Sequence, residues 1–192
     1  MSGSVLVGGR SRRMGRDKAR IEIRGVPLAV RVARALAAGG CRPVNFVGDS
    51  IADGYPVVAD RFPGEGPLGG VLTALVAATG DVVVAACDLP NLDEASVRAL
   101  LAADPDRRWP VVVAVADGRH VPVARWRREA VPALEVAFAT GTRSWRAAFE
   151  TLGALEVPID SWSSLDVDSP DDLAALDREG PVLRQEPPAE HG

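Results

Sequence analysis

Residues Asp81 to Ala86 read Asp-Val-Val-Val-Ala-Ala, an apolar run with no polar alternation. A strand with one wet face would alternate. An unbroken run belongs to a strand covered on both faces, as at the centre of a parallel sheet. The covering elements flank it. Pro67 opens a segment in which Leu68, Val71, Leu72, Leu75 and Val76 have the spacing of a core-facing helix, ended at Gly80. Pro27 opens another, with Leu28, Val32 and Leu36 four residues apart and Gly39-Gly40 at its end. Further helices are predicted over Asp93 to Ala103, residues 127 to 139 and residues 143 to 150. A last one starts at Ser169-Pro170-Asp171-Asp172, which has the form of a capping box with proline at the first helical position. Short strands are predicted at Val5 to Val7, Val44 to Val47, Val57 to Ala59, Val111 to Val115, His120 to Ala124 and Leu165 to Val167. Asp117-Gly118 supplies a hairpin-type turn. Strand and helix in alternation predict an α/β fold: a three-layer α/β/α arrangement around an open, mostly parallel, Rossmann-like sheet. Residues 1–177 are expected to form one domain, and the polar, proline-bearing residues 178–192 a disordered tail.

Length and composition narrow the function. A chain of 192 residues, 47% hydrophobic and 25% charged, suits one domain with a sizeable core. Its net charge of −4 offers no basic surplus for a nucleic-acid backbone. No run of eighteen apolar residues occurs, so no membrane span is expected, and a strand this close to the start leaves no room for a signal peptide. Cys41 and Cys87 form no CxxC and are too few for a structural zinc site. They are expected to be reduced thiols in a cytoplasmic protein. With two histidines, one of them in the tail, a Ser/His/Asp triad is not expected.

Positive charge is concentrated early. Residues 6–18 read Leu-Val-Gly-Gly-Arg-Ser-Arg-Arg-Met-Gly-Arg-Asp-Lys. Glycines after a strand let the backbone pass close to a ligand and turn N–H groups toward it. With Arg12, Arg13, Gly15 and Lys18 nearby, the loop suits a polyanion such as a triphosphate. The spacing is neither a Walker A loop nor GxGxxG.

An acidic partner follows the most apolar strand. Asp88, in Cys87-Asp88-Leu89-Pro90, is expected at the carboxyl end of a central strand, where open α/β sheets bind ligands. Mg²⁺ takes one or two carboxylates plus substrate phosphates, so Asp88 is the candidate metal ligand. The glycines of Gly66-Pro67-Leu68-Gly69-Gly70 would admit a flat base or ribose to the backbone, or serve close helix packing. Asp60 is expected at the same sheet edge, as an acceptor for ribose or guanine N–H groups or as a solvated loop residue.

These residues together resemble the molybdenum cofactor guanylyltransferase family, within the nucleotide-diphosphate-sugar-type nucleotidyltransferases. The family's opening L-A-G-G-x-S-x-R-M-G-x-D-K stands here as Leu6 to Lys18, with Val7 in place of alanine. Its G-P-L-x-G matches Gly66 to Gly70, and its C-D-x-P matches Cys87 to Pro90. Its histidine-proline segment is met by His120-Val121-Pro122, and its closing N-x-N-T-P-E-D-L by Asp166 to Leu173. The resemblance spans about residues 4 to 177. Asp166 and Asp168 replace asparagines that face the pterin in the family. Aspartates here also occur in cytidylyl relatives, so CTP stays open beside GTP.

The resemblance implies a Mg²⁺-dependent transfer of GMP from GTP to molybdenum-bound molybdopterin, giving molybdopterin guanine dinucleotide and pyrophosphate. It implies that Lys18 with Arg12 or Arg13 holds the triphosphate. It further implies that Mg²⁺ on Asp88 bridges phosphate oxygens, and that Leu6 and the N–H groups of Val7, Gly8 and Gly9 orient the nucleotide. His120, Arg143, Asp166 and Asp168 are candidates for the second substrate. Implied partners are molybdopterin-carrying proteins and molybdoenzyme chaperones. A cytidylyltransferase, a transferase for another phosphorylated cofactor or sugar, and an inactive nucleotide-binding partner are the alternatives.

Overall fold

The computed structural model describes residues 1–7, 18–48, 54–167 and 172. The segments 8–17, 49–53, 168–171 and 173–192 lie outside the described residues, and with them the predicted last helix and tail.

Seven strands form one sheet: β1 (Ser2–Leu6), β4 (Val44–Val47), β5 (Val57–Val58), β6 (Val82–Ala86), β7 (Val111–Ala116), β8 (Arg119–Trp126) and β9 (Leu155–Pro158). Their order across the sheet is β5-β4-β1-β6-β8-β7-β9. Every pairing but those of β8 is parallel. A two-stranded hairpin of β2 (Glu22–Ile23) and β3 (Val26–Pro27) stands apart. It turns at Arg24 and Gly25, both with positive φ. The hairpin and β9 were not legible in the sequence. β9 is a short edge strand ending in proline, with no fully buried residue to mark it.

The unbroken apolar run lies where its composition requires. Val83 and Ala85 of β6 face one core, shared with α1 (Leu28–Gly39) and α3 (Glu94–Ala102). Val82 and Val84 face the other, shared with α2 (Pro67–Ala77), α4 (Val131–Ala139) and α5 (Trp145–Leu152). Successive side chains of a strand point to opposite faces, so both cores meet on one strand and the three-layer expectation holds. Close contact between α1 and α3 depends on Gly39, where a Cβ would lie 2.4 Å from the Cβ of Val97.

Three predicted elements differ in detail. The helix expected over 127–139 splits into a 3-10 turn (Arg128–Ala130) and α4, whose first turn holds Pro132, a residue suited to a helix start. The α5 helix begins one residue after its N-cap, Ser144, whose Oγ accepts from the N–H of Ala147. Leu165 to Val167 forms no strand. After β9 the chain makes a 3-10 turn (Ser161–Ser164), and the N–H of Val167 donates to the carbonyl of Asp88 at 3.0 Å. In sheet order β9 and β6 are separated by β7 and β8, so residues 159–167 form a strap from the edge strand back to the centre. The Asp117-Gly118 turn has positive φ at both residues, as a tight hairpin demands.

Candidate active site

The crevice is fixed by topology. From β1 the chain builds outward through β4 to β5, then crosses back to lay β6 on the other side of β1. Strand order reverses between β1 and β6, and such a reversal opens a cleft at the carboxyl ends of the two strands. Leu6 pairs with Ala86 in register, so Val7 and the Cys87-Asp88 turn emerge side by side. Two of the predicted contributors, the start of the glycine-arginine loop and the candidate metal ligand, are thereby neighbours.

Lys18 comes to the same place. It opens a 3-10 turn (Lys18–Arg20), and its Nζ lies 3.6 Å from Oδ2 of Asp88. Both side chains are largely shielded, at 15% and 24% exposure. An ammonium and a carboxylate this close, at the edge of a low-dielectric interior, interact more strongly than an exposed pair would. The Asp88 turn is braced on two sides. Nε of Arg31, on α1, donates to the carbonyl of Pro90 at 3.2 Å. The Val167 N–H holds the Asp88 carbonyl. Burial lowers the pKa of Arg31, and the charges of Arg24 and Arg34 lower it further. Asp166, next to Val167, is exposed beside this turn.

Several candidate residues have partners within the fold itself. The N–H of Val7 donates to the carbonyl of Val47 at 2.9 Å, extending the β1–β4 ladder, so it is not available to orient a nucleotide. Leu6 packs against α2, where a Cβ on Gly70 would meet its Cδ2 at 2.9 Å. Gly69 and Gly70 are buried against Phe62 and Leu6, so close packing is their task. Gly66 differs: its φ of +90° is one that glycine tolerates best, and a Cβ there would lie 3.0 Å from the carbonyl of Arg143. Pro67 then starts α2, and the buried Leu68 donates its N–H to that same carbonyl at 3.0 Å.

Arg143 was a candidate for the anionic second substrate, and the structure gives it another task. Its Nε donates to Glu65 at 2.9 Å, its Nη1 to the carbonyls of Phe138 and Thr142, and its guanidinium stacks on Phe138, 4.0 Å from the ring centre. It braces the Gly66 turn. Asp60 commits Oδ1 to the N–H of Phe62 and the hydroxyl of Thr73, so that oxygen caps a turn. His120, at the start of β8, lies at the carboxyl edge because β8 runs antiparallel to β6. Its Nε2 is 2.8 Å from Oε1 of Glu156, and its ring meets Phe149 edge-on. Arg12, Arg13, Gly8, Gly9, Gly15 and Asp168 lie outside the described residues.

Sequence reasoning gave no role to Arg31 or Val167, which brace the Asp88 turn. Arg31 stands in no motif, and Val167 fills an unspecified position of the closing one, so only the folded path of the strap reveals its bond to Asp88. Both cysteines are free. Burial pushes the Cys41 thiol up to about 11, which makes it unreactive. Among the described residues no helix is long and apolar enough to cross a membrane.

Residues 3–155 match the model of the MobA-like NTP transferase domain. The chain is 37% identical to a molybdenum cofactor guanylyltransferase of Rhodobacter capsulatus, over 98% of this chain and 99% of that one. It is 34% identical to a probable molybdenum cofactor guanylyltransferase of Chloroflexus aggregans, over 90% and 91%. Its fold is similar to that of a molybdopterin-guanine dinucleotide biosynthesis protein A from Archaeoglobus fulgidus, with a TM-score of 0.76 and 24% identity over 91% of this chain and 96% of that one. The chain belongs to the family of MobA-like NTP transferase domains.

Proposed function

We propose that the protein transfers GMP from GTP to the terminal phosphate of molybdenum-bound molybdopterin, releasing pyrophosphate. The observation that carries this reading is the Lys18–Asp88 pair at the reversal between β1 and β6. A cation for a polyphosphate and a carboxylate for a metal stand together where this sheet binds ligands. Near-full-length similarity to guanylyltransferases supports GTP as the donor.

The chemistry asks little covalent work of the protein. An oxygen of the pterin's terminal phosphate bonds to the α-phosphorus of GTP. The bond from that phosphorus to the α,β-bridging oxygen breaks, and its electron pair leaves on pyrophosphate. The attacking oxygen is already ionised, so no general base is needed. Catalysis is positioning and charge neutralisation, as in phosphoryl transfer generally. Lys18 neutralises the triphosphate and the charge that grows on pyrophosphate, and in this proposal Arg12 or Arg13 assists. In this reading Asp88, with the exposed Asp166 close by in the strap, serves the reacting phosphates from the other side.

Magnesium fits this donor set. It binds hard oxygens and takes one or two carboxylates, leaving its remaining positions to phosphate and water. Asp88 is a partly shielded carboxylate of that kind, and Asp166 stands near it. Among the described residues no cluster of three metal-binding side chains offers a closed protein cage instead. When bound, the ion would neutralise phosphate oxygens in the transition state. In this reading the product passes to molybdopterin-carrying proteins or molybdoenzyme chaperones in the cytoplasm.

Thermal unfolding with GTP, CTP, ATP and UTP, each with and without Mg²⁺, tests donor and metal together. A ligand at a hundred times its Kd adds about 2.7 kcal/mol, which for a chain of this length raises Tm by about 5 to 11 °C. A Mg²⁺-dependent rise with GTP alone is expected. A rise with CTP alone would move the assignment to a cytidylyltransferase, with Asp166 and Asp168 as the reason.

A further inference from the structure

Besides the two large cores, a third and much smaller one sits at the crevice. It consists of Ile23, Leu28 and Val167, with Ile21 packed against it, and Leu28 and Val167 are fully buried. Its members come from three places in the chain: the hairpin, the start of α1, and the strap. Val167 is tied by its backbone directly to the site, and Leu28 through Ile21. The Ile21 N–H donates to the carbonyl of Lys18 at 3.1 Å, and the Leu28 N–H to that of Ile21 at 2.8 Å. The Val167 N–H donates to the carbonyl of Asp88 at 3.0 Å. The side chains of Lys18 and Asp88 meet 3.6 Å apart.

We propose that this small core sets the distance between Lys18 and Asp88, with Val167 as its positioning residue. The inference rests on the proposed nucleotidyl transfer. Lys18 reaches the crevice at the end of the loop that follows β1, and Asp88 at the end of β6. Their backbones are joined through the apolar contact of Ile21, Ile23 and Leu28 with Val167. Packed interiors transmit changes of even one methylene, because neighbours cannot fully relax into the space. A shortened Val167 therefore lets the strap and the Asp88 turn shift relative to Lys18. Valine serves this position because its branched side chain is stiff at χ1 and holds a single contact geometry. Asp166, next to the buried Val167, is exposed.

The test compares Val167→Ala, Val167→Ile and Val111→Ala. Val111 is equally buried but lies at the start of β7, at the opposite edge of the sheet. Val167→Ala should lower kcat by about ten- to a hundredfold, as small misplacements in a positioned site do. The KM for GTP should stay within about twofold, and Tm should fall no further than in Val111→Ala, which keeps its kcat. Val167→Ile, which retains the branched contact, should keep most of the activity. Amide exchange in Val167→Ala should rise together in residues 19–28 and 88–92. A Val167→Ala enzyme with wild-type kcat, or with losses matched by Val111→Ala, would overturn the proposal. So would exchange that rises in only one of the two segments. Failure of the wild type to release pyrophosphate from GTP would instead bring down the transfer reading, and the exchange result would still decide the positioning claim.

Discussion

Lys18 and Asp88 are far apart in the chain yet meet in the fold, and the proposed transfer gives each a distinct role. Lys18→Ala and Asp88→Ala should each lower turnover about a hundredfold or more, the usual scale for removing a transition-state contact, with the fold retained. Pyrophosphate release at the wild-type rate by either variant would refute the role given to that residue. Arg143 carries a different expectation. Because it braces the Gly66 turn, Arg143→Ala should weaken nucleotide binding and leave the KM for the pterin unchanged; the reverse pattern, read from steady-state kinetics, would return it to the second substrate. These two kinds of residue differed in legibility. Lys18 and Asp88 stand in dense motifs whose chemistry is local, and both were readable. The partners of Arg143, Asp60 and the Val7 N–H, namely Glu65, Thr73 and Val47, were not readable because they lie elsewhere in the chain. Hydrogen bonds formed by tertiary packing leave no trace in a motif.

Among elements, helices with an apolar stripe and strands with an unbroken run were found where expected, since burial imposes their periodicity. What escaped was short or at an edge. β9 has a pattern of half-buried and exposed residues that no periodicity rule detects, and the strap follows a path set by what it crosses. The same limit applies to close approaches. Gly39 ends a helix in sequence terms, yet its side-chain-free surface is what admits Val97 of α3. Gly39→Ala should therefore destabilise by about 1 to 3 kcal/mol, the range for overpacking a core. Val97→Gly, which removes the Cβ that Gly39→Ala would meet, should cost less in the Gly39→Ala background than in the wild type in denaturant unfolding, because neighbouring substitutions couple. Additive losses would show that the α1–α3 contact is not the cause.

The whole molecule divides its polar chemistry between the two ends of one sheet. The carboxyl edge holds the candidate site. The opposite edge holds a buried ion network: Arg127 donates to Asp104 at 2.6 Å, to Asp81 at 3.4 Å and to the carbonyl of Trp109, while Arg125 donates to the carbonyls of Leu101 and Ala103. Burial pushes the Asp104 carboxyl up, but hydrogen bonds from Arg127 and from the N–H groups of Trp109 and Arg108 outweigh it and bring it down to about 2. A carboxylate lowered on folding contributes stability above its unfolded value, and that contribution is lost as pH falls through the folded one. Tm should therefore drop between about pH 4 and pH 2. Asp104→Asn should be less stable at neutral pH and show a shallower drop across that window; an unchanged slope would remove Asp104 from the acid response. The central claim concerns the other edge. GTP labelled at its α-phosphate, incubated with the protein, Mg²⁺ and molybdenum-bound molybdopterin, should pass its label to the pterin dinucleotide and leave pyrophosphate unlabelled. Label that remains in GTP, while α-labelled CTP delivers its own to the pterin, would contradict it.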